Sequence, residues 1–74
     1  MNDVRLGNRL KQWRDEKELT QADLARMAGV SRKTINTVEN SVFIPSVQLA
    51  LVLARTLGTT VETLFHLVPA GPKR

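Results

Sequence analysis

Residues 21–40 of the chain read QADLARMAGVSRKTINTVEN, and two short helical patterns meet within them at Gly29. Thr20 stands directly before the first pattern and Asp23 follows three residues later, which is the spacing of a helix N-terminal cap and its reciprocal partner. Gly29 suits the left-handed conformation in which helices commonly end. The sequence therefore predicts two helices with a tight turn between them, Gln21–Ala28 and Arg32 to about Val38 or Asn40.

The apolar side chains of this stretch occur where a pair of crossing helices needs them. Ala25 is small where the helices must approach closely, Val30 can fill the corner behind the turn, and Ile35 can seat the second helix on a core. A helix pair that is merely amphipathic would rarely satisfy all of these positions together with the glycine. The spacing is typical of a helix-turn-helix, in which the turn has about three or four residues. The apolar set is Leu24, Ala25, Ala28, Val30, Ile35 and Val38.

Three further helices are predicted outside this pair. Leu6, Leu10 and Trp13 recur at helical spacing ahead of it. Pro45 disfavours helix at the residue before it, which predicts a loop in front of the fourth helix. No stretch shows the alternation that is typical of a strand. The predicted helices are roughly Val4–Lys17, Val47–Leu57 and Thr60 to about Leu67. The predicted fold class is all-α, a compact five-helix domain over residues 1–68 with a short, frayed tail at residues 69–74.

Composition excludes several classes of protein. The 74 residues include no Cys and one His, so we expect no disulfide, no zinc site and no cofactor. No catalytic constellation or phosphate-binding glycine loop is present in the sequence, so we expect neither an enzyme nor a small-molecule substrate. The longest apolar run, Leu49–Ala54, has six residues, whereas a membrane span needs about 20.

The net charge of +4 is unevenly distributed along the chain. Residues 5–33 hold eight basic and four acidic side chains, whereas residues 34–72 hold one basic and two acidic side chains. A basic half of this kind favours an anionic partner, with nucleic acid ahead of a membrane surface. The absence of Cys and of an apolar leader fits a cytoplasmic protein, and a nucleic-acid partner would place it at the nucleoid.

The segment LTQADLARMAGVSRKTINTVEN resembles the Cro/CI-type (XRE) helix-turn-helix family of phage and bacterial regulators. The likeness continues in LKQWRDEKELTQ, which is similar to the first helix of the family, and in PSVQLALVLARTLGTTVETLF, which is similar to its fourth and fifth helices. It thus spans about residues 6–66. The resemblance implies a lambda-repressor-like domain that binds double-stranded operator DNA as a symmetric dimer.

The outward face of the third helix is the predicted DNA-reading surface. Arg32 and Lys33 can donate to guanine O6 and N7, Asn36 can pair with adenine, and Thr37 can meet a thymine methyl group. The resemblance implies base contacts at the same four positions. It also implies that Gln21, at the positive N-terminal end of the second helix, contacts a phosphate. Further phosphate candidates are Arg26, Ser31 and Asn40.

Two other features follow from comparison with the family pattern. The resemblance implies an Arg14–Glu39 ion pair that ties the first helix to the third, which is a structural role. The chain departs from the pattern after the third helix. Ser41 replaces the usual Gly, and Val42 and Phe43 occupy positions where the family pattern leads us to expect a phosphate-binding Lys or Arg. A left-handed residue is therefore expected at Asn40 or Ser41 at some cost, and only the backbone N–H groups of this loop remain for a phosphate.

The fourth helix is apolar around most of its circumference. Val47 and Leu51 fall on the predicted core-facing arc, whereas Leu49 and Val52 fall on the other side. An apolar outer side predicts a partner, for which we expect a second copy of the chain. The predicted dimer interface is formed by Leu49, Val52, Thr56, Leu67 and Val68.

These features together predict a transcriptional regulator, more specifically a repressor or autoregulator that binds a palindromic operator as a homodimer. Nearly all of the chain is assigned to DNA binding, so control by a small-molecule effector is not expected. Three alternatives stay open. The protein could be an antitoxin with a toxin partner, the controller protein of a restriction–modification system, or a protein-interaction module.

Overall fold

The computed structural model describes residues 3–70 of the chain. This part contains five helices and two short strands. A strand stands at each end, and the helices lie between them. In chain order the elements are β1 (Val4–Asn8), α1 (Leu10–Glu16), α2 (Gln21–Ala28), α3 (Arg32–Glu39), α4 (Val47–Leu57), α5 (Val61–Leu64) and β2 (Phe65–Pro69).

The helix-turn-helix predicted from residues 21–40 is present with its predicted caps. The Thr20 hydroxyl accepts from the backbone N–H of Asp23, and the Asp23 carboxylate accepts from the backbone N–H of Thr20, each at 2.9 Å. Two N–H groups at the start of α2 that would lack helical partners are thereby satisfied. Gly29 ends α2 with φ of 75°, in the left-handed region that a residue with a side chain occupies at a cost.

The boundaries of α3 and α4 also follow the sequence prediction. The Ser31 hydroxyl accepts from Thr34 N at 3.1 Å, and the Ser46 hydroxyl accepts from Leu49 N at 3.0 Å. Beyond α3 the left-handed residue is Ser41, with φ of 60°. Ser41 is therefore the residue that adopts the unfavourable left-handed conformation expected at Asn40 or Ser41, while Asn40 keeps a negative φ of −89°.

The predicted five helices are confirmed, but the fold is not strictly all-α, because the two ends of the described chain pair as an antiparallel two-stranded sheet. The register runs from Val4 opposite Pro69 to Asn8 opposite Phe65. Consequently α1 begins at Leu10 rather than Val4, and α5 ends at Leu64 rather than near Leu67. The helical spacing of Leu6, Leu10 and Trp13 is misleading. Leu6 lies on β1 and the other two lie on α1, yet all three side chains pack in or against the same core.

Gly7 explains why the chain pairs as strands at this point. A glycine in a helix interior costs about 1 kcal/mol relative to alanine, whereas here it faces His66 across the sheet. A Cβ atom at Gly7 would come within 2.8 Å of His66 Nε2, so the ring occupies space that only glycine leaves free. Gly7 thus permits the close approach of β1 and β2.

The sheet extends slightly past the predicted domain end. Pro69 belongs to β2, and the backbone N–H of Ala70 donates to the carbonyl of Asp3 at 3.0 Å. The first two residues of the predicted tail are therefore attached to the sheet. The remainder of that tail, residues 71–74, lies outside the described residues.

The core lies where all five helices and β2 converge. Its side chains include four of the six that the helix-turn-helix pattern assigned inward, and Ala28, Val30 and Trp13 pack against it partly buried. Because these contacts fix α2 and α3 against α4, they set the orientation in which α3 faces solvent. The core residues are Leu10, Leu24, Ala25, Ile35, Val38, Ala50, Leu53, Ala54, Leu57, Leu64 and Phe65.

The outward face of α4 differs from the predicted one. Val47 and Leu51, expected to face the core, are 77% and 57% exposed. Leu49, expected on the outer side, instead packs partly buried against the core. The core therefore takes a narrower arc of α4 than predicted, formed by Ala50, Leu53, Ala54 and Leu57. The exposed stripe is Val47, Gln48, Leu51 and Arg55.

Candidate nucleic-acid interface

The solvent-facing side of α3 carries hydrogen-bond donors on a rigid support. Arg32, Lys33 and Asn36 are exposed, while Ile35 and Val38 on the opposite side are buried in the core. The Ser31 cap fixes the start of the helix directly before the two cations. An exposed helix of this kind can enter the major groove, where bases present distinct patterns of donors and acceptors.

Gln21 joins three of these side chains in one groove. Gln21, Arg32, Lys33 and Asn36 line a concavity of about 300 Å³ between the start of α2 and the outer face of α3. All four side chains are polar, and two are cationic. The N-terminus of α2, which carries the partial positive charge of the helix dipole, lies beside this groove. The groove therefore concentrates donors for an anionic or acceptor-rich ligand.

Thr37 and Asn40 lie further along α3 and are less available than the other candidates. Thr37 is half-buried, and its hydroxyl donates to the carbonyl of Thr34 at 3.0 Å. This bond leaves the methyl group of Thr37 for an apolar contact. Asn40 is exposed as the C-cap of α3.

Ser31 and Arg26, the remaining phosphate candidates, lie at the start of α3 and on α2. The Ser31 hydroxyl already caps α3 and also bonds the hydroxyl of Thr34 at 2.9 Å. The Arg26 side chain is 72% exposed and lies 3.4 Å from a carboxylate oxygen of Asp23. An exposed ion pair of this kind contributes little to stability, so the Arg26 guanidinium can readily exchange Asp23 for another anion.

The backbone N–H groups of the loop after α3 are bonded within the protein. Ser41 N donates to the carbonyl of Val38 at 3.1 Å, and Val42 N and Phe43 N donate to the carbonyl of Thr37 at 2.9 and 3.1 Å. These three N–H groups complete the last turn of α3. Because each of the three is bonded to a carbonyl of α3, none of them is a free donor for a phosphate.

A buried ion pair connects the interface to α1. Arg14 Nε donates to Glu39 Oε2 at 2.6 Å, Nη2 donates to Oε1 at 3.3 Å, and Nη1 donates to the carbonyl of Leu19 at 2.7 Å. The side chains of Arg14 and Glu39 are 10% and 4% exposed. The hydrogen bond that Arg14 donates to Glu39 raises the pKa of Arg14, so the guanidinium stays charged.

Glu39 has a second partner that the sequence did not indicate. Gln21 Nε2 donates to Glu39 Oε1 at 3.0 Å. The carboxylate thus receives donors from α1 and from α2 while it belongs to α3. The helix-turn-helix spacing placed Gln21 and Glu39 on the two helices but gave no information on whether their side chains touch.

Asn8 also supports α3, and the sequence reading overlooked it. Its Nδ2 donates to the carbonyl of Val38 at 2.9 Å, and its Oδ1 accepts from Leu10 N at 3.0 Å. The side chain therefore joins the end of β1 to the start of α1 and to the last turn of α3. Asn is a poor helix-interior residue but favourable just before a helix, and that signal could have placed the start of α1 correctly.

An apolar groove lies on a different side of α4 and α5. It has a volume of about 870 Å³ and includes Val47, Leu51 and Val52 of α4 together with Val61 of α5. Of the residues predicted to form a dimer interface, Val52 lines this groove, and Leu49 and Thr56 are half-buried elsewhere on α4. Leu67 and Val68 lie on β2, where Leu67 is 69% exposed.

Comparison with known proteins identifies the class to which this fold and interface belong. The helix-turn-helix family model matches residues 10–64, which include all five helices. The chain therefore belongs to the Cro/CI-type (XRE) helix-turn-helix family of DNA-binding transcriptional regulators, and its members are not enzymes. Within residues 3–70, no helix has the length and apolar character needed to cross a membrane.

Individual relatives agree with this assignment. The chain is 43% identical over 58 residues to an uncharacterized HTH-type transcriptional regulator of Methanocaldococcus jannaschii, covering 78% of this chain and 88% of that protein. It is similar to SinR, the master regulator for biofilm formation, solved in complex with DNA, with a TM-score of 0.70, 32% identity, and coverage of 74% and 89%. The DNA-binding domain of the P22 C2 repressor gives a TM-score of 0.72 at 31% identity, with coverage of 84% and 82%.

Proposed function

We propose that this regulator binds a palindromic operator as a homodimer, with α3 of each copy in the major groove. The observation that carries the proposal is the polar groove in which Gln21 of α2 meets Arg32, Lys33 and Asn36 of α3. A module that only bound other proteins would have no need of this donor-rich face. The groove combines what specific binding requires, which is a set of base-reading donors next to a phosphate-positioning group.

The base-reading residues lie on the first two turns of α3. Arg32 and Lys33 donate to guanine O6 and N7, and Asn36 pairs in bidentate fashion with adenine. Thr37 uses its hydroxyl within the helix, so its contact is an apolar one with a thymine methyl group. Each good bidentate contact contributes about 1–3 kcal/mol of discrimination against a wrong base.

The phosphate contacts surround this reading face. Gln21 lies at the first position of α2 and donates to a backbone phosphate beside the positive end of the helix dipole. Arg26 adds a mobile cation on the exposed side of α2, and Ser31 and Asn40 add polar groups at the two ends of α3. These contacts fix the register of α3 on the duplex and act on every sequence alike.

A second copy of the chain binds on the apolar side of the molecule in this proposal. The exposed leucine and valine of α4, Leu51 and Val47, lie beside a groove that is also lined by Val52. Two-fold pairing of this surface would set two α3 helices about 34 Å apart, which is one turn of DNA. Leu49 and Thr56 are half-buried elsewhere on α4, and Leu67 and Val68 offer a separate candidate surface on β2.

The regulatory outcome that we propose is repression, including repression of the protein's own gene, at the nucleoid. The name of the P22 C2 repressor, whose DNA-binding domain has the same fold, supports this direction. The apolar groove is assigned to a second copy. Recovery of a toxin-like protein bound to that groove would instead favour an antitoxin.

Selection of bound duplexes from a random DNA pool tests the proposal. We expect an enriched site with two inverted half-sites whose centres lie about 10 base pairs apart. The double variant Arg32→Ala, Asn36→Ala serves as the matched control, because it leaves the core and the caps intact and should enrich no site. Enrichment of one unpaired half-site would reject the dimer, and failure to enrich any site would reject specific recognition.

A further inference from the structure

Gln21 can contact a phosphate in only one of its two amide orientations. Phosphate oxygens accept hydrogen bonds, so the side chain must present an N–H of Nε2 rather than its carbonyl oxygen. An isolated glutamine rotates freely between the two orientations. A neighbouring group that selects one of them would therefore raise affinity for DNA without itself touching DNA.

Glu39 is the group that Gln21 meets on the protein side. Gln21 Nε2 donates to Glu39 Oε1 at 3.0 Å, and the Glu39 side chain is 4% exposed. A glutamate carboxylate only accepts hydrogen bonds, so it attracts Nε2 and repels the amide oxygen of Gln21. Since Nε2 carries two diverging hydrogens, one bond to Glu39 leaves the second hydrogen for another acceptor.

Building on the proposed phosphate role of Gln21, we propose that Glu39 is a positioning residue for DNA binding. Its carboxylate orients the Gln21 amide so that the second Nε2 hydrogen is available to a phosphate in the groove lined by Gln21, Arg32, Lys33 and Asn36. This role is distinct from tying α1 to α3, because it acts through Gln21.

Arg14 makes such an arrangement compatible with an incoming anion. An uncompensated carboxylate next to Gln21 would repel a phosphate, and that repulsion would be weakly screened because Glu39 is buried. The guanidinium of Arg14 donates to both oxygens of Glu39 at 2.6 and 3.3 Å and cancels its charge. A connected set of three side chains, Arg14, Glu39 and Gln21, thus runs from α1 through α3 to the groove.

A double-mutant cycle separates positioning from simple structural support. The variants are Gln21→Ala, Glu39→Gln and the double variant, measured for binding to a mixed-sequence DNA duplex of about two helical turns. Gln12→Ala is the matched control, since Gln12 is an exposed glutamine on α1. We expect about tenfold weaker binding for Gln21→Ala, which loses one hydrogen bond to a charged phosphate, and about twofold weaker binding for Glu39→Gln, which no longer selects one of the two amide orientations of Gln21.

The double variant carries the decisive comparison. If Glu39 acts through Gln21, then Glu39→Gln adds no further loss once Gln21 is absent, and the double variant binds about tenfold more weakly than the wild type. If Glu39→Gln lowers affinity by the same factor with and without Gln21, the positioning role is rejected. If Gln21→Ala binds as well as the wild type, it is the phosphate role of Gln21 that fails.

A measurement on the wild-type protein keeps the inference testable if Glu39→Gln does not fold. The two side-chain amide hydrogens of Gln21 give separate NMR signals whose exchange with solvent can be followed. We expect one hydrogen to be protected in the free protein, because it is bonded to Glu39, and the other to become protected when the duplex is added. Equal, rapid exchange of both hydrogens in the free protein would overturn the inference.

Discussion

Arg32 and Arg26 carry the same charge on neighbouring helices, but their surroundings differ. Arg32 lines the polar groove with Gln21 and Asn36, whereas Arg26 lies on the exposed side of α2 beside Asp23. A guanidinium in the major groove can bond two acceptors of guanine, while one against the backbone meets the same phosphate at every sequence. Truncating the two side chains should therefore weaken different properties of binding.

Arg32→Ala should relax specificity more than it weakens binding to random DNA. We expect a loss of about 1–3 kcal/mol on the selected operator and tolerance of all four bases at one position of each half-site. Competition between operator and random duplexes measures the ratio. Lys17→Ala is the control, because it also removes one positive charge but lies beside Gly58 at the end of α4. An unchanged ratio for Arg32→Ala would remove Arg32 from base readout.

Arg26→Ala should weaken binding to every sequence by a similar factor. Removing a phosphate contact made by a cation leaves one counterion on the DNA, so the slope of log K against log salt should become shallower by about 0.9 for each bound protomer. Titrations at several salt concentrations measure this slope. Gln21→Ala, which removes a neutral donor, should lower affinity while leaving the slope unchanged. A slope equal to that of the wild type in Arg26→Ala would mean that Arg26 contacts no phosphate.

The N-terminus of α2 gives the helix-turn-helix a dependence on pH. Hydrogen bonds from the Thr20 backbone and hydroxyl, with a smaller contribution from Arg26, lower the pKa of Asp23 below its ordinary value. A carboxyl group whose pKa is lowered by folding stabilises the native state above its ordinary pKa. That contribution is lost as the pH falls through the lowered value. The cap should therefore weaken in acid, as the pH falls below the ordinary pKa of an aspartate and through the lowered pKa of Asp23.

Asp23→Asn tests this dependence directly. Asparagine can still accept from the Thr20 backbone N–H, but it does not titrate, so the other carboxylates are common to both proteins. We expect the wild type to be the more stable protein at neutral pH, with a difference that shrinks towards zero in acid. Urea unfolding at a series of pH values measures the free energy of unfolding of each. A difference that is constant with pH would show that the Asp23 charge does not stabilise α2.

Local chemistry made α2, α3 and α4 predictable, and its absence explains the missed sheet. Thr20, Ser31 and Ser46 each bond an N–H within the next three residues, so the helix starts are encoded where they occur. In contrast, β1 pairs with β2 from the far end of the sequence, and each strand has only five residues. A short strand with one distant partner leaves no local signature except Gly7 and Asn8, which disfavour the helix predicted there.

The interface was predictable to a similar extent, and for the same reason. Helical spacing was enough to place Arg32, Lys33 and Asn36 on the outer face of α3, because α3 is amphipathic. Spacing could not reveal the bond between Gln21 and Glu39, since that bond depends on how α2 and α3 cross. It also misassigned Leu51, because a helix that is apolar on most sides does not show which side meets the core.

The molecule as a whole separates charge from exposed apolar surface. The basic excess lies in residues 5–33, which include three of the four residues that line the polar groove, whereas the exposed Val47 and Leu51 lie on α4. A core of this size supplies only about 3–5 kcal/mol of stability unless something adds to it. Association through the apolar groove would add buried apolar area and would couple two reading helices. The apparent stability and the occupancy of the operator should then both rise as protein concentration increases and the dimer forms.

Leu51→Glu and Leu67→Glu distinguish the two surfaces on which a second copy could bind. Both leucines are exposed, at 57% and 69%. The two variants are therefore matched, because each replaces an exposed leucine side chain with a charged glutamate. Because Leu51 lies in the apolar groove and Leu67 on β2, we expect Leu51→Glu alone to sediment as a monomer and to lose cooperative binding of inverted half-sites. Dissociation by Leu67→Glu alone would assign the interface to β2. If neither variant alters sedimentation, neither leucine lies at a dimer interface and the proposed groove pairing is wrong.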